Sequence, residues 1–438
     1  MRLIRKSLYF ALTAAATLSV TAQPGTGIRL DDFTTLTPSL NLSYNYDDNT
    51  SLRERALEDE SGEINLDDDS DTFIEYLFSL SLNRRIGNRA ATASAYFGEE
   101  FYQDSSGLDE QKYGASLGYL WASASGETVV DFSGSYQYAV DETGSNEVAG
   151  FSNPDDAVED FENISSRVER DILSSSIAID QKIGADLGSA FTASIYEVDY
   201  ANEDFNDSTG YDFEAEVNYQ ISPKTQAFGQ LGMGIDDDEG FADNAESTYF
   251  LIGARYEPTM KTRINASIGY EFDTVTPLET TFSLDENREV VSETAPGEEV
   301  ENDGLKFSIN ASYNFDAKTM IVLTARNGYS SQGTENSRRK RETAGVLSLR
   351  HRTTDQFSQR VGVNWRQDDF LDGVLIDEVE FDEERETISY FYSFSYLTPR
   401  PWLSFFGRIS FEDGTSNLPD SGNEYDQTRA TLGARLSY

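Results

Sequence analysis

Apolar and polar residues alternate along this chain for unusually long stretches. In "LTPSLNLSYNY" the apolar set is Leu36, Leu40, Leu42, Tyr44 and Tyr46, and Ser and Asn fill the other parity. "TFIEYLFSLSLN" places Ile74, Tyr76, Phe78, Leu80 and Leu82 together, and "GLKFSINASYNF" does the same with Leu305, Phe307, Ile309, Ala311, Tyr313 and Phe315. "TISYFYSFSYL" and the terminal "ATLGARLSY" repeat the pattern. A two-residue period is that of a strand with one apolar and one polar face. About 18 such segments follow one another, each of roughly 10–13 residues, long enough to cross a bilayer as a tilted strand.

The connections alternate too. Short ones carry "RRIGNR", "SGET", "SPKT", "DAKT" and "TPRP". Long ones fall near 47–71, 141–168, 273–304, 330–342, 368–386 and 412–426. The pattern predicts an all-β fold: a transmembrane, antiparallel, up-and-down β-barrel with short periplasmic turns and long external loops. Aromatic residues sit at both ends of the apolar faces, with Tyr44, Tyr46, Tyr136, Tyr138, Tyr211, Phe272 and Phe411 at one end. Trp121, Tyr219, Tyr256, Phe315, Tyr396 and Tyr438 sit at the other, as in two interfacial girdles. A soluble sandwich or propeller would alternate as well, but with strands nearer 5–6 residues. Closure requires the last strand to pair with residues near 36–46, because lipid offers backbone groups no partner.

Composition adjusts this picture. A mean hydropathy of −0.52 alone would read as a soluble or partly disordered chain, but 12% aromatic residues argue against disorder. Past the N-terminus no apolar run is long enough for a transmembrane helix. "MRLIRK", a short apolar core and the small residues before Gln23 predict a secretory signal over 1–22, cut after Ala22. Residues 23–34 then form a short periplasmic lead and 35–438 the barrel, located in a Gram-negative type of outer membrane. The formal net charge of −44 excludes nucleic acid as a partner. The chain contains no cysteine, which removes disulfides, thiolate metal sites and lipidation at cysteine.

No catalytic constellation emerges. His351 is the one histidine, placed on the apolar face at the short-turn end, and no base stands beside a nucleophile. The chain is therefore read as no enzyme, with no cofactor and no metal. The acidic runs "NLDDDSD", "DDDEG" and "DDFLD" offer oxygen ligands for calcium without the spacing of a loop motif, and read as solvated external loops.

The inward parity carries the chemistry. Early strands contribute an acidic wall: Glu75, Glu100, Asp131, Asp212, Glu214 and Glu216. Later strands contribute a basic wall: Arg255, Arg263, Arg326, Arg350, Arg360, Arg366, Arg408, Arg429 and Arg435. Other inward positions are small or hydroxylic, such as Ser79, Ser81, Ser133, Ser135, Asn310, Ser393 and Ser395. Opposed walls would set a transverse field across a wet pore; the alternative is that the charges pair and stiffen the barrel.

The opening "LTPSLNLSYNYDDNTSL", with Tyr46, Asp47, Asp48 and Asn49 at its turn, resembles the start of the β-barrel porin 2 family. The resemblance implies an outer-membrane barrel, and for some relatives export of exopolysaccharide. The C-terminal residues Leu432, Leu436 and Tyr438 resemble the signal read by the barrel-assembly machinery. The expected function is a pore for hydrophilic solutes, polysaccharide export being its finer form. Expected partners are outer-membrane lipid and lipopolysaccharide, the assembly machinery and a periplasmic polysaccharide export complex. The alternative is a structural or adhesive barrel with a closed lumen, acting through its acidic loops.

Overall fold

The alternating segments do close on themselves. The structure is a computed structural model that describes residues 27–48, 70–103, 109–140, 169–201, 207–238, 242–284, 290–296, 299–331, 339–371, 374–376, 379–381, 383–417 and 425–438. Among them 18 antiparallel strands form a closed ring in chain order, from Thr34–Asp47 to Tyr425–Ser437. Most run 13–16 residues. Thr262–Leu284 reaches 23 and continues past the ring as a hairpin with Val290–Pro296. Ile28–Arg29, in the stretch expected to be a short periplasmic lead, pairs with Leu36 and Thr35. The predicted signal over 1–22 lies outside the described residues.

Short turns gather at one end. Ile86 and Arg89 pair across Gly87 and Asn88, and Gly87 has a φ of 59°. That left-handed backbone is sterically cheap only without a Cβ, so glycine makes this tight reversal possible. Asp316 shapes another short turn by accepting the backbone N–H groups of Lys318 and Thr319 at 2.7 and 2.8 Å. Those donors favour the carboxylate and hold its pKa below the usual value.

The final strand closes the ring as expected. Ser39 pairs with Ser437 and Asp47 with Arg429. The N–H of Tyr438 donates to the carbonyl of Pro38 at 3.0 Å. The last residue is thus part of the ladder. Deleting Tyr438 removes this bond and an outward aromatic ring, and is expected to lower the amount of folded barrel in isolated membranes. Wild-type amounts would show that the terminal aromatic is dispensable for assembly.

The faces are sorted as in a membrane barrel rather than a soluble one. Leu42, Tyr44 and Tyr46 are exposed, while Asn41, Ser43, Asn45 and Asp47 between them are buried. Leu432 is 61% exposed and Val217 56%, whereas Asp47 is 1% exposed. Outward-facing groups at the long-loop end include Tyr211, Phe272 and Phe411, and at the other end Tyr219, Tyr256, Phe315 and Tyr438. Apolar outside and polar inside is the reverse of a soluble protein.

One seam of the wall is short. Val300–Asn314 and Thr319–Ser331 pair only from Phe307–Asn327 down to Asn314–Met320. Above it, side chains take the ladder's place. Arg341 Nη2 donates to the Leu305 carbonyl at 2.9 Å, and Glu271 accepts the Tyr329 N–H at 3.0 Å.

Candidate functional site

Polar side chains at inward parity meet inside the ring, so the interior is the candidate site. The nine arginines of the basic wall all have the parity opposite to the exposed apolar residues of their strands, and lie on the strands from Ala242–Thr259 onward. The six acids of the other wall lie on the strands from Asp71–Ile86 to Ser208–Ser222. Since the strands close in chain order, the two sets occupy opposite halves of the ring.

The acidic half is tied locally. Glu75 accepts from Ser43 Oγ at 3.1 Å, and Glu100 pairs with Lys112 at 2.6 Å. Glu214 accepts from the Tyr249 hydroxyl at 3.1 Å, and Ser194 Oγ stands 3.5 Å from Asp212. Glu216 takes Arg255 in a two-pronged contact at 2.5 and 2.8 Å, joining one wall to the other. Asp131 is opposite Leu120 and Ala178 in the ladder.

The basic half is not uniformly basic, because carboxylates stand among its arginines toward the long loops. Arg326 donates to Glu342 at 2.8 Å, and Arg366 Nε to Asp368 at 2.9 Å. Lys340 reaches Asp368 at 3.1 Å, with both side chains 4% exposed. Arg429 pairs with Asp47 at 3.2 Å, and Gln427 donates to the same carboxylate. Arg339 forks onto Asp273, which is fully buried, and reaches Asp236 at 3.2 Å. Tyr196 donates to the other oxygen of Asp236 at 2.5 Å. Lys306 pairs with Glu271 at 2.5 Å and sits 4.3 Å from the Tyr249 ring. Taking a charge out of water costs several kcal/mol, and only close, well-formed pairing recovers it. The structure therefore contains a layer of mutually neutralised charge near the long-loop end.

Two sequence expectations change here. Asp236 and Asp368, read as members of solvated acidic loops, are drawn into these interior pairs. Residues 65–69 of the first acidic run lie outside the described residues. The interior is not lined only by small or hydroxylic groups: Leu77, Phe228, Leu251, Val346 and Phe391 are buried in it. The phenyl ring of Phe391 lies across Gly362 on the next strand, where an added Cβ would fall 2.5 Å from the ring. That glycine lets a large side chain lie flat along the wall. Lys112, Lys306, Lys340 and Glu342 were also missed, although their parity marks them as inward.

At the short-turn end the arrangement differs. Arg350 and Arg360 face each other across neighbouring strands. The Arg360 guanidinium lies 5.1 Å from the Phe391 ring and that of Arg408 5.3 Å from it. Arg435 donates to the Asn41 side-chain carbonyl at 2.8 Å. Arg263 pairs with Glu257 at 2.8 Å in an exposed position at this rim. His351 Nδ1 is 2.9 Å from Thr319 Oγ1 on the outward face, a contact between two adjacent strands. Among the described residues no group of three or more His, Cys, Asp or Glu could hold a metal ion.

No protein-family model matches the sequence, and no curated protein matches it. Similar solved structures include the outer membrane protein OpdK from Pseudomonas aeruginosa, at 11% identity over 92% of this chain and 99% of that one, TM-score 0.46. The FrpB iron transporter from Neisseria meningitidis is 9% identical over 93% and 83%, TM-score 0.45. The ferric-catecholate import receptor Fiu from Escherichia coli is 8% identical over 95% and 82%, TM-score 0.46. No residue role follows from likeness this weak.

Proposed function

We propose that the chain is an outer-membrane β-barrel that forms a passage for hydrophilic solutes. One observation carries this reading: a closed ring whose outward residues are apolar and exposed, and whose inward residues are polar and charged. Water cannot be the natural neighbour of so continuous an apolar belt, and lipid cannot be that of the interior. With this orientation the short turns face the periplasm and the long loops the exterior. Lipid and lipopolysaccharide are then the outer neighbours, and the barrel-assembly machinery inserts the chain. The placement of acids and arginines on opposite halves of the ring supports a transverse field at levels where they are not neutralised. Polysaccharide export, with a periplasmic export complex as partner, is the finer form of the proposal; it rests on the resemblance of residues 36–52 to the β-barrel porin 2 family.

The buried ion-pair layer favours a second reading, a structural or adhesive barrel closed near its long-loop end. Two measurements decide. Folded protein should shift its gel migration on boiling, as a membrane barrel does. Purified barrel in planar bilayers should then show discrete conductance steps. A silent bilayer with folded protein would favour the closed barrel.

A further inference from the structure

Going beyond the passage itself, we infer that the acidic half of the interior contains, at its short-turn end, a binding site for a small zwitterion of the α-amino acid type. The inference rests on the barrel reading only for the site's access to solute.

A cavity of about 280 Å³ lies there, beside the turn that joins Glu169–Lys182 to Leu187–Tyr200. The ladder explains it. Lys182 is opposite Gly188, Gly188 is opposite Asn218, and Gln220 is opposite Gln226. Gly188 puts no side chain between Lys182 and Asn218, so the middle strand forms a floor and its neighbours the walls. A Cβ added at Gly188 would fall 2.8 Å from Asn218 Oδ1. Asp180 and Lys182 both have the parity opposite to the exposed Leu173 and Ile177, and Asp186 lines the cavity from the turn. Sites for drug-sized ligands measure about 300–1,000 Å³, so this volume suits a smaller solute.

The amides are held in place, and the charges beside them are not paired. Gln226 Nε2 donates to Asn218 Oδ1 at 2.9 Å, Asn218 Nδ2 to Glu216 at 3.2 Å, and Gln220 Nε2 to the Thr225 carbonyl at 3.2 Å. Among the described residues, the Asp180 and Asp186 carboxylates, the Lys182 ammonium and Gln220 Oε1 have no hydrogen-bond or ion-pair partner. Asp180 and Lys182 are two positions apart on one strand, about 7 Å between Cα atoms. Other charges stand nearby. Glu127, whose carbonyl accepts the Lys182 N–H at 2.7 Å, takes its side-chain bond from Ser125 at 3.1 Å. Glu216 is held by Arg255, and Lys224 turns to the Pro258 carbonyl at 2.7 Å. Asp131, diagonal to Asp180 in the ladder, adds negative charge at the edge.

Sign then selects the solute. An anion would meet more carboxylates than ammonium groups, and a simple cation would meet Lys182. A molecule carrying both signs satisfies both. Its ammonium group takes Asp180 or Asp186, and its carboxylate takes Lys182, each through a charge-assisted hydrogen bond. Gln220 Oε1 accepts a further N–H of the same ammonium group.

The test is calorimetric titration of the full chain folded in detergent, at neutral pH and low salt. The probes are glutamine, N-acetylglutamine, which lacks the ammonium group, and glutaminamide, which lacks the carboxylate. Saturable binding of glutamine is expected, about tenfold tighter than of either derivative, the scale of one hydrogen bond to a charged group. Lys182→Gln is expected to remove the advantage of glutamine over glutaminamide. Asp180→Asn/Asp186→Asn is expected to remove its advantage over N-acetylglutamine. The heat-dependent gel shift checks that each variant is folded, and either variant alone suffices if the other does not fold. No saturable binding of glutamine, a derivative binding as tightly as glutamine, or a folded variant binding all three as wild type does would overturn the site. Bilayer conductance separates the two ideas: steps without glutamine binding leave the passage and remove the site, and binding without steps does the opposite.

Discussion

Leu323→Arg is expected to abolish or severely reduce folded barrel, while Asn310→Arg, on the adjacent strand at nearly the same height, leaves assembly close to normal. Leu323 pairs with Ala311, the residue after Asn310, so the two sites differ by one ladder step and by face. Leu323 points outward and is exposed; Asn310 has inward parity and is exposed to the interior. Leu323 is the fifth residue of Thr319–Ser331, which at about 3.3 Å per residue and a tilt near 40° puts it close to the middle of an apolar belt about 25 Å tall. An arginine there costs about 2–4 kcal/mol in lipid, a cost that an inward, exposed position does not carry. The amounts of heat-modifiable protein in isolated membranes measure the contrast. Equal amounts from the two variants would mean that the outward face does not meet lipid, and the membrane reading would fall with it.

That contrast also shows how much a linear pattern can tell. Period-two alternation assigns a face to every residue of a strand at once, so the inward arginines could be named without knowing which strands touch. Chain order in an up-and-down ring then separates acids from arginines. What alternation leaves open is partnership across several strands. Arg339 and Asp273 are 66 positions apart, and their contact depends on the wall's shape at the long-loop end. "DDDEG" begins inside the strand Thr225–Asp238, where Asp236 shares the inward parity of Gln226 and Gln230, and reading the run as a loop hid that placement. The interior aromatics left a clearer trace. Phe228 falls on the same parity as Gln226 and Gln230, out of phase with the apolar face, and Gly253 opposite it leaves room for its ring. Asn327, Arg341 and Thr343 break the outward pattern for a different reason. The ladder ends beside them, and they bond one another: Asn327 donates to Thr343 at 2.6 Å, and Arg341 to Asn327 at 3.3 Å. A polar residue on the lipid parity there marks the upper limit of the short seam.

The other large effect concerns the buried charges. Arg339→Met is expected to destabilise the folded barrel by about 3–5 kcal/mol, because it leaves Asp273 inside without its main counter-charge. Asp273 is fully buried and the Arg339 side chain 5% exposed, so water has little access to relieve the loss. The partial exposure of Asp236 at 24% means that this second carboxylate is less affected. Removing both charges, in Arg339→Met/Asp273→Leu, should recover most of the loss. The desolvation cost vanishes with the pair, and apolar groups of similar volume often replace a buried pair with little change. Chemical-denaturant midpoints of the barrel refolded in lipid distinguish the cases. A single variant much weaker than the double would show that the pair fixes how the long-loop end is arranged and adds little net stability. Equal weakness in both would mean that the arginine acts through packing rather than charge. The same double variant bears on the passage, since the pair belongs to the neutralised layer at that end. If the layer restricts flow, conductance should rise when the pair is replaced; an unchanged step size in the folded double variant would place the restriction elsewhere.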